Sequence, residues 1–373
     1  MGWARELPKN SPRPFWDRLA FTVGGVDFLW IDVVLAAMVR GEWSVFERRL
    51  AEGVACASYA DCSETDSPSE DALEEATTAF RYDRELIEAA DVEAWLERVA
   101  LSAEEWTEYI RRDVLRRQWS DELDDLLDQS APSARELLDV VASEGICSGA
   151  FDAFEATLAG RAALVFAVDS EQFHRACDRA EVQTDASLTR LARTHEHWLA
   201  LRPPEDALSR LSVVVRLDAA FTSLTTRVAS ENRMSEILEM NRLEWIRLDF
   251  DTLSFASEPA AREAILCVRV DGLSLYDVGS LSRRAVTRTS AMLQDIEPER
   301  RDVLLSAEPG VALGPLLVDG RFDVTSLIKR TPPSLEDPDV AARARDLAVE
   351  LAVRRAARDH VTRRAVPAVP SET

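Results

Sequence analysis

The chain has 373 residues, more than one small core organises, and it fits two or three domains. Its 44 Lys and Arg against 67 Asp and Glu leave a net charge of −23, which opposes nucleic-acid binding because a polyanion is neutralised by clustered basic residues. Such a surface suits solubility first and a basic peptide partner second. The five cysteines are odd in number, scattered and without a CxxC pair, which argues against a disulfide framework or a structural zinc site. Residues 1–16 lack an apolar core of signal-peptide length. The longest apolar run, 33–39, falls far short of the roughly 20 residues that span a bilayer. A cytoplasmic protein with no membrane partner is therefore expected.

In chain order, residues 19–30 open with short β-prone runs flanking Gly24-Gly25, as a tight hairpin requires. Residues 32–39 read as a helix stopping near Gly41. Residues 44–57 carry Val45, Phe46, Leu50 and Val54 on roughly one helical face. Ser69 is a candidate cap for a helix over 70–82, and Asp91 for a short helix bearing Trp95 and Leu96. Ser102-Ala-Glu-Glu105 has the form of a capping box and opens a long helix through Trp106, Tyr109, Val114 and Trp119. Residues 129–133 read as a link. Helices follow over 134–143, 149–167, 171–180, 184–201 and 204–227.

The texture changes at Leu243. Trp245, Arg247, Asp249 and Asp251 alternate with Ile246, Leu248 and Phe250, a period of two that predicts a strand. Helices over 258–270 and 273–281 come next, then a polar β-prone stretch over 285–293 and a helix over 298–305. Pro309-Gly310 marks a turn, and strands over 313–318 and 322–328 flank Asp319-Gly320, a strong hairpin signal. The predicted order is β-α-α-β-α-β-β. Pro332-Pro333 breaks the chain, and Asp337-Pro338 starts an amphipathic helix running to about residue 364 with Val340, Ala344, Leu347 and Leu351 on its apolar side. Its basic end carries Arg354, Arg355, Arg358, Arg363 and Arg364, which suits a helix C-terminus and can meet the chain's own acidic helices to clasp the two ends.

Three further constellations are candidates. His195-Glu-His197 suggests a metal site, but on a helix residues two apart point about 200° apart, so a solvated face is the better reading and no metal is expected. His174 and Cys177 have i,i+3 spacing, and nothing nearby in the sequence completes a ligand or nucleophile set. Trp95, Trp106 and Trp119 sit where they would either line a peptide groove or pack a core, and core packing is the commoner use. Neither GxGxxG nor GxxxxGK[ST] occurs, so no nucleotide cofactor is expected.

Leu304-Leu305-Ser-Ala-Glu-Pro-Gly310, then Gly314-Pro-Leu-Leu-Val-Asp-Gly-Arg-Phe-Asp323 and Lys329-Arg330, resemble a parvulin-type peptidyl-prolyl isomerase domain, with its helix, Pro-Gly turn, Gly-Pro strand and last strand ending in a basic residue. Leu253-Ser-Phe-Ala-Ser-Glu-Pro-Ala-Ala-Arg262 resembles the family's first strand running into its first helix. Phe21-Thr-Val-Gly-Gly-Val-Asp27, Leu101-Ser-Ala-Glu-Glu-Trp106 and the helix after Pro338 are similar to the flanks of SurA-, PrsA- and PpiC-like foldases. In those proteins the last helix packs back on the helical N-terminal segment. The whole chain is most similar to PpiC-related proteins encoded with ribosomal peptide maturation systems. The resemblance covers about 19–127 and 245–364. It implies an α+β chain: a mostly helical, chaperone-like body with an inserted parvulin-like domain. The implied segments are a SurA-N-like region over 1–129, an additional helical region over 130–243, the parvulin-like domain over 244–331 and a returning C-terminal helix over 332–373.

The resemblance also places the family's site. Its two histidine positions fall at Thr252 and Asp323, and its apolar pocket positions at Ile296, Arg300 and Leu305, with Arg300 where an aromatic is usual. Both histidines are gone. The opposite charges of Arg300 and Asp323 allow a salt bridge that would fill the pocket rather than receive proline. The implied function is peptide binding with isomerase activity lost: a foldase-like protein that holds an extended or precursor peptide, or a peptide-modifying enzyme, during maturation of a ribosomally made peptide. The alternatives are an active prolyl isomerase with a non-standard site, and a scaffold that binds a modifying enzyme and no peptide.

Overall fold

The computed structural model describes residues 15–62, 67–179 and 204–363, with positions 191, 193, 194 and 198 between them. Apart from those four positions, the predicted helix over 184–201 lies outside the described residues, as do His195, Glu196 and His197. The fold is α+β. Two compact units divide the chain, Met1–Leu224 with Val353–Thr373, and Thr225–Ala352. Among the described residues no helix is long and apolar enough to cross a membrane.

The first unit opens with the hairpin β1 (Leu19–Val23) and β2 (Val26–Leu29). Both turn residues have positive φ, Gly24 at 54° and Gly25 at 80°, as a two-residue hairpin turn demands. Helices α1 (Trp30–Arg40) and α2 (Glu42–Asp61) follow, separated by Gly41 at φ 78°, which closes α1 in the left-handed conformation. On α2, Phe46, Leu50 and Val54 turn inward, whereas Val45 faces out. Next come α3 (Glu70–Asp83), α4 (Ala89–Val99), α5 (Ala103–Gln118) and α6 (Leu123–Gln129). Ser69 caps α3, accepting from the Ala72 N–H at 3.2 Å, and Ser102 with Glu105 forms the predicted box on α5. Asp91 is not the cap of α4 itself. It sits one turn in and accepts from the Glu88 N–H at 2.8 Å, so the helix starts at Ala89.

Helices α7 (Ala134–Cys147), α8 (Ala150–Val168) and α9 (Ser170–Ala176) follow in this unit. They belong with the N-terminal helices: Cys147 of α7 packs into one apolar cluster with Phe80, Trp95, Tyr109 and Ile110, and α8 lies against α1 and β1. The short β7 (Val361–Arg363) returns to pair antiparallel with β1, Val361 opposite Val23 and Arg363 opposite Phe21. The last helix thus ends at His360 rather than near residue 364, because its chain is drawn into this three-stranded sheet. Arg363, on β7, donates to both carboxylate oxygens of Glu155 on α8, at 3.1 to 3.3 Å.

The second unit receives α10 (Pro204–Val228) from Thr225 onward and continues with α11 (Glu231–Met240). The elements then run β3 (Arg247–Phe255), α12 (Glu258–Arg269), α13 (Leu275–Ser282), β4 (Thr287–Met292), α14 (Pro298–Ser306), β5 (Ala312–Val318) and β6 (Arg321–Thr331), the predicted order. All pairings are antiparallel and the sheet order is β4-β3-β6-β5. The period-two pattern of β3 breaks after Phe250, where Asp251, Thr252 and Leu253 are all buried. The cause is cover on both faces. Leu253, Phe255 and Val324 pack with Ala261, Ile265 and Val278 of α12 and α13. Leu248, Phe250 and Leu327 pack on the other face with Leu304 of α14 and with Ile296. The final helix, α15 (Pro338–His360), seals one end through Val340 and Ala344, which join Ile237, Trp245 and Met292.

Candidate functional site

The five residues singled out by resemblance all lie on or beneath the α14 face of the four-stranded sheet. Ile296 and Leu305 belong to the apolar cluster under α14. Arg300 projects from the first turns of α14, and Thr252 and Asp323 stand on the central strands β3 and β6. The structure brings Arg300 and Asp323 together as an ion pair between Nη2 and Oδ2. Asp323 is 2% exposed, and the Arg300 side chain 15%. Arg300 also reaches Glu297 with its Nη1, 3.5 Å from Oε2. The pair is incompletely satisfied, since Asp323 Oδ1 and Arg300 Nε are buried without a hydrogen-bond partner.

Strand register decides which side chains face one another. Thr252 stands opposite Thr325, and Asp323 opposite Ser254. Thr252 and Asp323 are therefore not a direct cross-strand couple. Their side chains share a face because 323 and 325 are two residues apart, the repeat of a strand. The two threonine hydroxyls lie 3.4 Å apart in a buried setting. Thr325 was missed from the sequence, although its period-two relation to Asp323 was the available signal. A bulge on β6, where Asp249 pairs with Lys329 and Phe250 with Leu327, leaves Ile328 as the extra residue and shifts the pairing downstream.

The residues that carry the resemblance have structural reasons to be there. Gly314 holds φ 113°, and a Cβ added to it would stand 2.5 Å from the Asp323 carbonyl oxygen, so only glycine lets β5 approach β6 at this point. Gly310, at φ 83°, donates its N–H to the Leu327 carbonyl at 2.8 Å and so ties the turn after α14 to β6. Arg330, at the end of β6, donates to the carbonyls of Leu304 (3.1 Å), Leu305 (2.8 Å) and Ala307. These carbonyls lie at the C-terminal end of α14, where a cation satisfies groups the helix leaves open. Arg330 therefore pins α14 above the sheet.

Chemically, the face offers two hydroxyls and a carboxylate already engaged by a guanidinium. None of the four histidines falls within residues 225–352. A surface depression of about 450 Å³, lined by Asp302, Val303, Ser306, Ala307, Glu308, Val311 and Leu313, lies to one side and includes none of the five residues. On the opposite face of the sheet a second polar group was not foreseen. Arg288 grips Asp251 with two hydrogen bonds of 3.0 and 3.1 Å, and the Tyr276 hydroxyl donates to the same carboxylate at 3.2 Å.

The remaining candidates resolve as packing. Trp95 and Trp106 close on Phe80, with ring centroids 5.5 and 5.8 Å away, and Trp119 meets Tyr59 edge-on at 5.2 Å. Burial pushes the Cys177 thiol up to about 12, the direction opposite to an activated nucleophile, while His174 stands among the rings of Phe166 and Phe173. No family model matches the chain, and neither a curated protein nor a solved structure matches it.

Proposed function

We propose that this protein holds an extended peptide through a parvulin-like domain that has lost isomerase chemistry, as part of a foldase-like protein serving the maturation of a ribosomally made peptide. The ion pair of Arg300 and Asp323 carries the reading. It stands at the positions where the resemblance puts an aromatic pocket residue and the second histidine. Supporting it are the element order, the sheet order β4-β3-β6-β5, and the placement of Gly314 and Arg330 against β6 and α14.

The chemistry explains why such a frame would outlive its activity. Rotation about an amide faces a barrier of about 18–20 kcal/mol, and a catalyst must bind the proline and favour the twisted bond. A guanidinium locked on a buried carboxylate excludes an apolar ring from the same place. The strands and helices that position a peptide need neither histidine.

The test pairs two measurements on the full chain. Calorimetry with extended and precursor-type peptides should show binding, and a protease-coupled assay on proline peptides should show no rate enhancement. Enhancement altered by Asp323→Ala would instead establish an isomerase with a non-standard site. No peptide binding at high micromolar concentration by a folded protein, together with co-purification of a modifying enzyme, would point to the scaffold.

A further inference from the structure

We infer that the open edge of β4 receives an extended polypeptide segment as a fifth strand of the sheet, a site that rests on the peptide-holding reading and names its place. The outer strands of this sheet are β4 and β5, and they differ in how they present their edges. Edge strands normally carry a proline, a bulge or an outward charge that prevents pairing with another chain. β5 has such devices. Its register with β6 shifts between Leu313 and Leu316, and Pro315 within that step has no N–H to donate.

β4 has none of them. Six consecutive residues, Thr287 to Met292, pair with β3 without a register shift. No proline or glycine interrupts them. The one charge, Arg288, is turned back onto Asp251. Residues 287, 288 and 290 are exposed. The ladder's phase follows from the Leu293 N–H, which donates to the Ile246 carbonyl at 2.9 Å. In an antiparallel pair, hydrogen-bonded and non-hydrogen-bonded positions alternate, and the latter aim both backbone groups away from the partner. Counting back from Leu293, the outward positions are Met292, which is buried, and the exposed Ser290 and Arg288. Their N–H and C=O groups form a row matched in spacing only by another strand.

The occupant is an extended segment of a different polypeptide rather than a second copy. At a net charge of −23, two copies of this chain repel. The main chain supplies the affinity in such strand addition, and side chains at alternate positions supply the selectivity. Thr287 and Thr289 on one face and Ser290 on the other favour β-branched or small polar residues in the segment, the pairs that pack best across strands.

The probe is a short peptide of alternating valine and threonine with a lysine at each end, added to the full chain. Hydrogen exchange should slow at Arg288 and Ser290 on addition of peptide. Ser290→Pro removes an outward donor while leaving the ladder to β3 intact, and it should weaken binding about tenfold or more. Ser290→Ala keeps the backbone donor and should bind as the parent does. A peptide N-methylated at the amides facing β4 should fail on the unaltered protein, which keeps the test decisive if Ser290→Pro does not fold. Undiminished binding of the methylated peptide would overturn the inference. So would protection confined to residues 298–306 and 321–327, which would leave peptide holding itself standing. Absence of any binding would remove both. Self-association without peptide, seen by sedimentation and lost in Ser290→Pro, would assign the edge to a second copy and overturn it as well.

Discussion

Replacing Asp323 by alanine leaves Arg300 facing a buried space with its main partner gone. Asp323 is 2% exposed and the Arg300 side chain 15%, so water replaces the lost carboxylate only in part. Breaking a buried pair from one side costs about 3–5 kcal/mol. Glu297, 3.5 Å from the same guanidinium, offsets some of that, and we expect a loss of about 2–4 kcal/mol. The double change Arg300→Met with Asp323→Leu removes both charges and fills the space with apolar atoms. It also removes the orphaned Asp323 Oδ1 and Arg300 Nε, so it should be close to neutral or stabilising. The two units need not unfold together, so the assay is hydrogen exchange of amides within 225–352 across a urea series, which reads the opening of that unit alone. Arg300→Met alone, Asp323→Leu alone, the double change and the parent form a double-mutant cycle. A coupling below about 0.5 kcal/mol would refute the pair as the element that closes this face.

Gly314→Ala tests why the Gly-Pro step exists. With φ at 113° and a Cβ landing 2.5 Å from a backbone oxygen, it should cost about 3 kcal/mol, read as a lower urea midpoint, and a change within about 0.5 kcal/mol would refute the close approach. The capping carboxylate Glu136 is held below its ordinary 4.5 by the Ser133 hydroxyl and then the Ser133 N–H. A lowered carboxylate stabilises the fold fully above its unfolded value, and the contribution fades as pH falls through its folded one. Glu136→Gln should therefore lower the melting temperature at neutral pH, and the gap should close on acidification well below pH 4.5. A gap that persists unchanged in acid would exclude the carboxylate as its source.

Much of the secondary structure was legible because its causes are local. Ser69 and Ser102 cap helices through bonds to residues three positions on, and Gly24-Gly25 and Asp319-Gly320 supply the positive φ their turns require. The alternation at Leu248 and Phe250 and the order of elements in 247–331 follow from the same short-range pattern. The end of the last helix was not legible. It depends on β7 finding β1 across more than three hundred residues, and no local signal stops the helix at His360.

The residues of the candidate face divide along the same line. The sequence alone established that no histidine falls within residues 225–352 and that opposite charges stand at Arg300 and Asp323. Tertiary structure decided that those charges meet, that Thr325 rather than Asp323 faces Thr252, and that Arg288 closes on Asp251 while β4 is an outer strand of the sheet among the described residues. The physical reason is register. A strand's own residues set which side chains alternate, but a single bulge at Ile328 and the packing of α14 above the sheet set which of them become neighbours.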